Sequence, residues 1–90
     1  MNAHAPLSAV VTTFDNAATL DRCLASLAFC DEVVVLDSGS SDATREIAQQ
    51  HGARIDIEPF KGYGAQKQSA IDKAMHDWVL LLDADEYLTD

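Results

Sequence analysis

The sequence predicts an α/β fold: an open, mostly parallel sheet with helices on both faces. Three observations carry this. Short β-branched or apolar runs alternate with stretches of helical periodicity, in the order β-α-β-α-β-α-β. Two of those runs, Val33–Leu36 and Trp78–Leu82, are apolar without a break, as strands covered on both faces should be. The links between runs are mostly a few residues long, the length α/β units use. Right-handed crossovers then stack the strands side by side in parallel.

Leu7 to Thr13 (LSAVVTT) reads as the first strand. Phe14-Asp15-Asn16 breaks it, and Asp15 or Asn16 can cap the helix that follows. Leu20, Cys23, Leu24 and Leu27 recur at i, i+3, i+4 and i+7, one apolar face, with Asp21, Arg22 and Ser26 off it. Glu32 to Asp37 is the second strand. The polar turn Ser38-Gly39-Ser40-Ser41-Asp42 supplies a Ser or Asp cap for a helix running to about Gln50, with Ile47 and Ala48 inward. Gly52 sits where a C′ glycine ends a helix. Arg54 to Ile57 alternates apolar and polar residues, which marks an edge strand. Pro59 to Gly64 is irregular and holds two glycines and two aromatics. Ala65 to His76 is the third helix, with Ala70, Ile71, Ala74 and Met75 on one face. The last strand starts at Trp78 and is expected to carry on to Glu86.

Ninety residues make one small domain, 1–90, with an apolar fraction of 48% that is ordinary for a globular chain. Fifteen acidic against six basic residues give a net charge of -9. That balance argues against nucleic acid, which needs a basic footprint. The later acidic residues Asp72, Asp77, Asp83, Asp85, Glu86 and Asp90 suit a cation site or a solvated rim. No apolar run approaches the roughly 20 residues of a membrane span. No basic and apolar leader is visible, so a reducing cytoplasm is expected. Cys23 and Cys30 are too few for a zinc set, and Cys23 lies on an apolar stripe, where a buried thiol is expected.

Three polar loops fall at the carboxyl ends of the predicted strands: Thr13 to Asn16, Asp37 to Asp42 and Asp83 to Glu86. Ligands of open α/β sheets bind along that edge. In an extended run Asp83 and Asp85 would point the same way. At about 5 Å and an effective dielectric of about 20 their charges repel by roughly 3 kcal/mol. A hard divalent cation holding phosphates would relieve this, as would protonation.

The first strand is followed by TTFDNA, without the glycines of a Rossmann dinucleotide fingerprint, and no P-loop occurs. LLLDADEYL has some likeness to the opening motif of haloacid-dehalogenase-type phosphatases, a strand ending in DxDGTL. Here Glu86 and Tyr87 replace its Gly and Thr, and three β-α units come before it.

Four segments in order, VVTTFDN, VVVLDSGSSDAT, GAQKQSAI and WVLLLDADE, resemble glycosyltransferase family 2 across essentially the whole chain. The DSGSSD block and the GAQK segment look most like the branch that adds glucose or related sugars to lipopolysaccharide core. The resemblance implies the N-terminal half of a GT-A fold, a Rossmann-like domain for a nucleoside-diphosphate sugar such as UDP-hexose. It implies nucleoside contacts from Thr12, Thr13 and Asp15, although Asp15 is equally suited to capping. It gives Asp37 a hydrogen bond from uracil N3, a pairing an acceptor-only carboxylate suits; the competing role is to hold the Ser38-Gly39 turn. Asp42 and Thr44 would cap and support that loop. Lys67 would neutralise diphosphate or be a solvated helix lysine. Asp83 would meet the ribose, and Asp85, with Asp83, would hold Mn²⁺ or Mg²⁺ bridging the diphosphate. Gly62 and Gly64 would let their loop reach the site.

Members of that family invert the anomeric centre by direct displacement, with a carboxylate base in a later, acceptor-binding half. The sequence stops five residues after Asp85, so the base and the glycan or lipid-linked acceptor site are expected to lie outside it. The isolated chain is expected to bind donor and metal without turnover. Two further expectations follow. The last strand offers an open edge for self-association, and a full enzyme would sit at the inner face of the membrane. The alternative is a non-catalytic nucleotide-binding or interaction module of the same fold.

Overall fold

Four parallel strands form one sheet in the order β3-β2-β1-β4, where β1 is Leu7–Thr13, β2 Glu32–Asp37, β3 Arg54–Ile57 and β4 Trp78–Asp83. The computed structural model describes residues 5–89; Asp90 lies outside the described residues. Three helices alternate with the strands: α1 Ala17–Ala25, α2 Thr44–Gln50 and α3 Tyr63–Asp72.

The chain steps outward from β1 to β2 to β3, then crosses back to place β4 on the other side of β1. A fixed crossover hand requires the returning helix to lie on the opposite face. Residue alternation along β1 shows the two layers. Ala9 and Val11 are buried with Leu20, Cys23 and Leu24 of α1, while Val10 is buried with Ala70 of α3. Asp37 and Thr13 pair in register, as do Thr12 and Asp83, so the polar ends of three strands reach one edge.

Helix ends explain where the observed elements depart from expectation. α2 stops as foreseen: Gly52 has φ 73°, its N–H donates to the Gln49 carbonyl and that of Ala53 to the Ala48 carbonyl, a Schellman closure. α1 ends at Ala25, so Leu27 is buried just beyond the helix rather than within it.

α3 begins two residues earlier and ends four earlier than its periodicity suggests. Gly62, at φ 101°, sets the start, and its carbonyl accepts from Gln66 N–H. Gly64 is therefore helical rather than part of the loop. At the far end Lys73 and Ala74 turn back to carbonyls three residues away, the Arg54 guanidinium takes the Lys73 carbonyl, and Met75 N–H donates to Glu32. Met75 leaves the helical face and is 71% exposed.

Burial pushes the Glu32 carboxyl up, but Met75 N–H, the Ser8 hydroxyl and Arg54 outweigh it and hold it below the usual range. This cluster fixes the amino end of the sheet. β4 ends at Asp83, three residues sooner than expected, and its first residue, Trp78, is 65% exposed. Its unbroken apolar run reflected a half-covered outer strand, not one buried on both faces. Among the described residues no helix is long and apolar enough to cross a membrane.

Candidate functional site

Two loops at the carboxyl edge are tied into one unit. Asn16 closes the first turn, its side-chain oxygen accepting from Thr13 Oγ1 (2.8 Å) and Phe14 N–H (3.0 Å). Asp15 sits in the left-handed region at φ 53°, where Asp is tolerated. Its N–H donates to Ser40 Oγ and its carboxylate accepts from Ser41 N–H, both at 2.8 Å. Asn16 N–H donates to Thr44 Oγ1, and Ala17 N–H to Asp42. The first amide of α1 is thus capped by the neighbouring loop, not by Asp15 or the Asn16 side chain. Asp42 also accepts from Thr44 N–H and the Thr44 hydroxyl, and these bonds hold its carboxyl below the usual range. The supporting role expected for Asp42 and Thr44 is the one observed, with Ala43 at the α2 cap position itself.

Asp37 ends β2 fully buried. One oxygen accepts from Gly39 N–H (3.1 Å) and Ser40 N–H (2.8 Å), the other from the Ser40 hydroxyl, and the Arg45 guanidinium stands 3.9 Å away. These bonds hold the Ser38-Gly39 turn, the structural one of its two expected roles. Neither Asp37 nor Asp15 lines the cleft described next.

That cleft, about 360 Å³, opens at the carboxyl ends of β1 and β4, where the strand order reverses. Thr12, Thr13, Ser38, Lys67, Asp83 and Asp85 line it, bringing together five of the seven residues expected at the site and adding Ser38. Asp83 accepts from Thr12 Oγ1 at 3.1 Å, and Lys67 Nζ lies 4.0 Å from the same oxygen. The lysine supplies part of the positive charge that two neighbouring carboxylates call for.

The DxD triplet is not extended. Ala84 N–H still pairs with the Thr12 carbonyl, but Ala84 and Asp85 form a turn closed by Glu86 N–H on the Asp83 carbonyl at 2.9 Å. Alternation along a strand therefore does not bring the two aspartates to one side; the turn does. Beneath it the Cys23 thiol is buried, and burial, then the charges of Glu86 and Asp85, push it up to about 11. It is the buried thiol its position on the helix suggested.

Among the described residues no group of three His, Cys, Asp or Glu side chains could enclose a metal. A magnesium-type ion asks for less from the protein: one or two carboxylates, with waters and substrate phosphates completing the octahedron. Asp83 and Asp85 on an open cleft meet that description, so the residues present fit such an ion.

Comparison with known proteins turns this geometry into a family. A model described as glycosyl transferase family 2 matches residues 8–90. The chain belongs to glycosyl transferase family 2. It is 39% identical over 88 residues to the lipopolysaccharide core biosynthesis glycosyltransferase LpsC of Rhizobium meliloti, covering 92% of this chain and 33% of that protein. This family 2 chain thus spans about a third of the length of the curated relatives it matches.

Among solved structures it superposes on Mycobacterium tuberculosis glucosyl-3-phosphoglycerate synthase, in complex with Mn²⁺, UDP and glucosyl-3-phosphoglycerate. The TM-score is 0.78 at 25% identity, covering 92% of this chain and 36% of that one. It also superposes on Staphylococcus aureus TarS 1-349, with a TM-score of 0.75 at 28% identity, covering 91% of this chain and 28% of that one. The parallel α/β architecture is that of these GT-A enzymes.

Sequence reasoning missed the far wall of the cleft. Gln66 is buried; its amide donates to Ser38 Oγ (3.2 Å) and the Glu58 carbonyl (3.4 Å), and its oxygen accepts from Lys61 N–H (3.1 Å). The signal was there: Gln66 lies four residues before buried Ala70, on the inward face of α3. Phe60 and Tyr63 meet edge to face at 5.1 Å and, with Phe14, form an exposed aromatic rim. Glu58 braces this segment through Lys61 (2.9 Å), Ser69 (2.8 Å) and Lys73 (2.6 Å). Those bonds, Lys73 first, bring its carboxyl down to about 2.

Proposed function

We propose that this chain is the donor-binding part of a sugar transferase that takes a nucleoside-diphosphate hexose, UDP-linked, with Mn²⁺ or Mg²⁺. The observation that carries the reading is the convergence of Thr12, Lys67, Asp83 and Asp85 on one cleft at the strand-order reversal. A diphosphate needs cations and hydrogen-bond donors, and a divalent ion needs oxygens; both are present there.

Asp85, with Asp83, would hold the ion, and Asp83 would also face the ribose. Bound there, the ion would act as a Lewis acid on the leaving nucleoside diphosphate. Lys67 orients the diphosphate and offsets its charge. Thr12 fixes the Asp83 carboxylate, and Thr13 and Ser38 offer hydroxyls to the nucleoside. Asp15 and Asp37 serve the nucleoside indirectly, by holding the loop that presents Ser38. The acceptor, a glycan or lipopolysaccharide-type lipid, and its deprotonating base belong to parts of the enzyme outside this chain. Alone, the chain binds donor without transferring sugar.

Support comes from the LpsC relative, named for lipopolysaccharide core biosynthesis, and from the mycobacterial structure, which holds Mn²⁺ and UDP. Calorimetry with UDP, with and without Mn²⁺, tests the reading. Wild type should bind more tightly with the ion, and Asp85→Asn should lose that increment. Equal binding by Asp85→Asn would sink the metal role, and sugar transfer by the isolated chain would sink the claim of inactivity.

A further inference from the structure

We infer that Glu86 is a positioning residue for the metal-facing aspartates, acting by the reach of its side chain and not by its charge. The inference rests on the donor-site reading above and adds a residue to it. Glu86 and Asp83 are bonded in both directions: Glu86 Oε1 accepts from Asp83 N–H at 2.7 Å, and Glu86 N–H donates to the Asp83 carbonyl at 2.9 Å. This closed ring contains the whole Asp83-Ala84-Asp85 turn. It fixes the backbone from which both carboxylates leave.

The next two residues anchor the ring to α1. The Arg22 guanidinium lies 4.8 Å from the centre of the Tyr87 ring, and Leu88 N–H donates to Ser26 Oγ at 3.1 Å. Glu86 is therefore held from both sides, by the strand end before it and the helix beyond it. One carboxylate oxygen, Oε1, is engaged by Asp83 N–H, which ties the side chain to the turn. A carboxylate used this way is replaceable by an amide, whose oxygen also accepts, but not by a shorter acid.

The test compares Glu86→Gln, which keeps reach and loses charge, with Glu86→Asp, which keeps charge and loses reach. UDP affinity is measured with and without Mn²⁺, and Mn²⁺ affinity by the electron paramagnetic resonance of the free ion. Glu86→Gln should stay within about twofold of wild type, and Glu86→Asp should lose about tenfold or more in Mn²⁺ affinity, the range for partners that orient metal ligands. UDP affinity without Mn²⁺ should be unchanged in Glu86→Gln and should fall less than Mn²⁺ affinity in Glu86→Asp, where only the ribose contact of Asp83 is at stake, a pattern that general unfolding would not give.

Loss by Glu86→Gln with retention by Glu86→Asp would make Glu86 a charged ligand and overturn the inference. Two variants that both match wild type would overturn it as well. If wild type itself shows no Mn²⁺-dependent gain, the donor-site reading falls first and takes this inference with it.

Discussion

Thr12 and Asp83, 71 residues apart in the chain, sit opposite each other in register on β1 and β4 and share a 3.1 Å hydrogen bond. The bond links the strand that opens the fold to the one that carries the acidic turn. It also spends one carboxylate lone pair on a neutral donor, which orients Asp83 before any ligand arrives. Thr12→Val keeps the shape and removes the donor. Stability should fall by about 1 kcal/mol, the usual worth of such a bond. Mn²⁺-dependent UDP binding should weaken several-fold. Urea denaturation and calorimetry check the two effects separately.

Lys67 stands on the α3 side of the cleft, 4.0 Å from Asp83. Lys67→Gln should weaken UDP binding by about tenfold, as loss of a charge-assisted contact to phosphate implies. Uridine, which lacks the diphosphate, should bind wild type and variant alike. An equal loss for uridine would show that the lysine acts through the fold and not on phosphate.

Gln66 ties α3 to the turn after β2 and to the segment before α3 from a buried position. Gln66→Leu leaves Lys61 N–H and the Ser38 hydroxyl without their partner and should cost about 1–3 kcal/mol. Proteolysis between Pro59 and Gly62 should speed up at the same time. Resistance equal to wild type would mean that the segment is held by Glu58 alone.

Glu58 gives a signed pH dependence. Its folded-state carboxyl lies at about 2, below the ordinary 4.5. Its contribution is therefore complete above about pH 4.5 and is lost as pH falls toward 2. Denaturant midpoints from pH 7 to pH 2 should decline over that window, and Glu58→Gln should flatten the decline. An unchanged acid limb would assign it to Glu32 or Asp42, both also held below their usual values.

The outer side of β4 carries no paired strand among the described residues, and Trp78 is exposed at its start. Such an edge invites pairing. Size-exclusion chromatography with light scattering should show self-association that rises with concentration, and Trp78→Lys should reduce it. A monomer at all concentrations would count against an adhesive edge.

The architecture was legible because strand and helix periods differ and the loops between them are short. β1, β2 and β3 fall where their apolar patterns put them, and β3 is the edge strand its alternation announced. What could not be read was set by contacts distant in sequence. α3 stops where Arg54 and Glu32 capture the backbone just beyond it, at Lys73 and Met75, which no local pattern encodes. Trp78 looked buried because an apolar run cannot say whether a neighbour covers it. Asp37 offered two roles, and only the folded loop, with its amides turned inward, shows both oxygens engaged. The aromatic rim stayed hidden for the same reason: Phe14 is 46 positions from Phe60, and only the sheet order brings them to one opening.

The lacing of the two loops, Asp15 to Ser40 and Ser41, Ala17 to Asp42, has a consequence for anyone reshaping this scaffold. Neither loop is a separable module. Replacing the second loop would strip the Asp42 cap from α1, and replacing the first would free the Ser41 amide that Asp15 holds, so substrate range should change most readily through paired exchange. Random libraries confined to a single loop would return mostly misfolded clones, whereas libraries that vary both together would sample a far larger share of viable pockets.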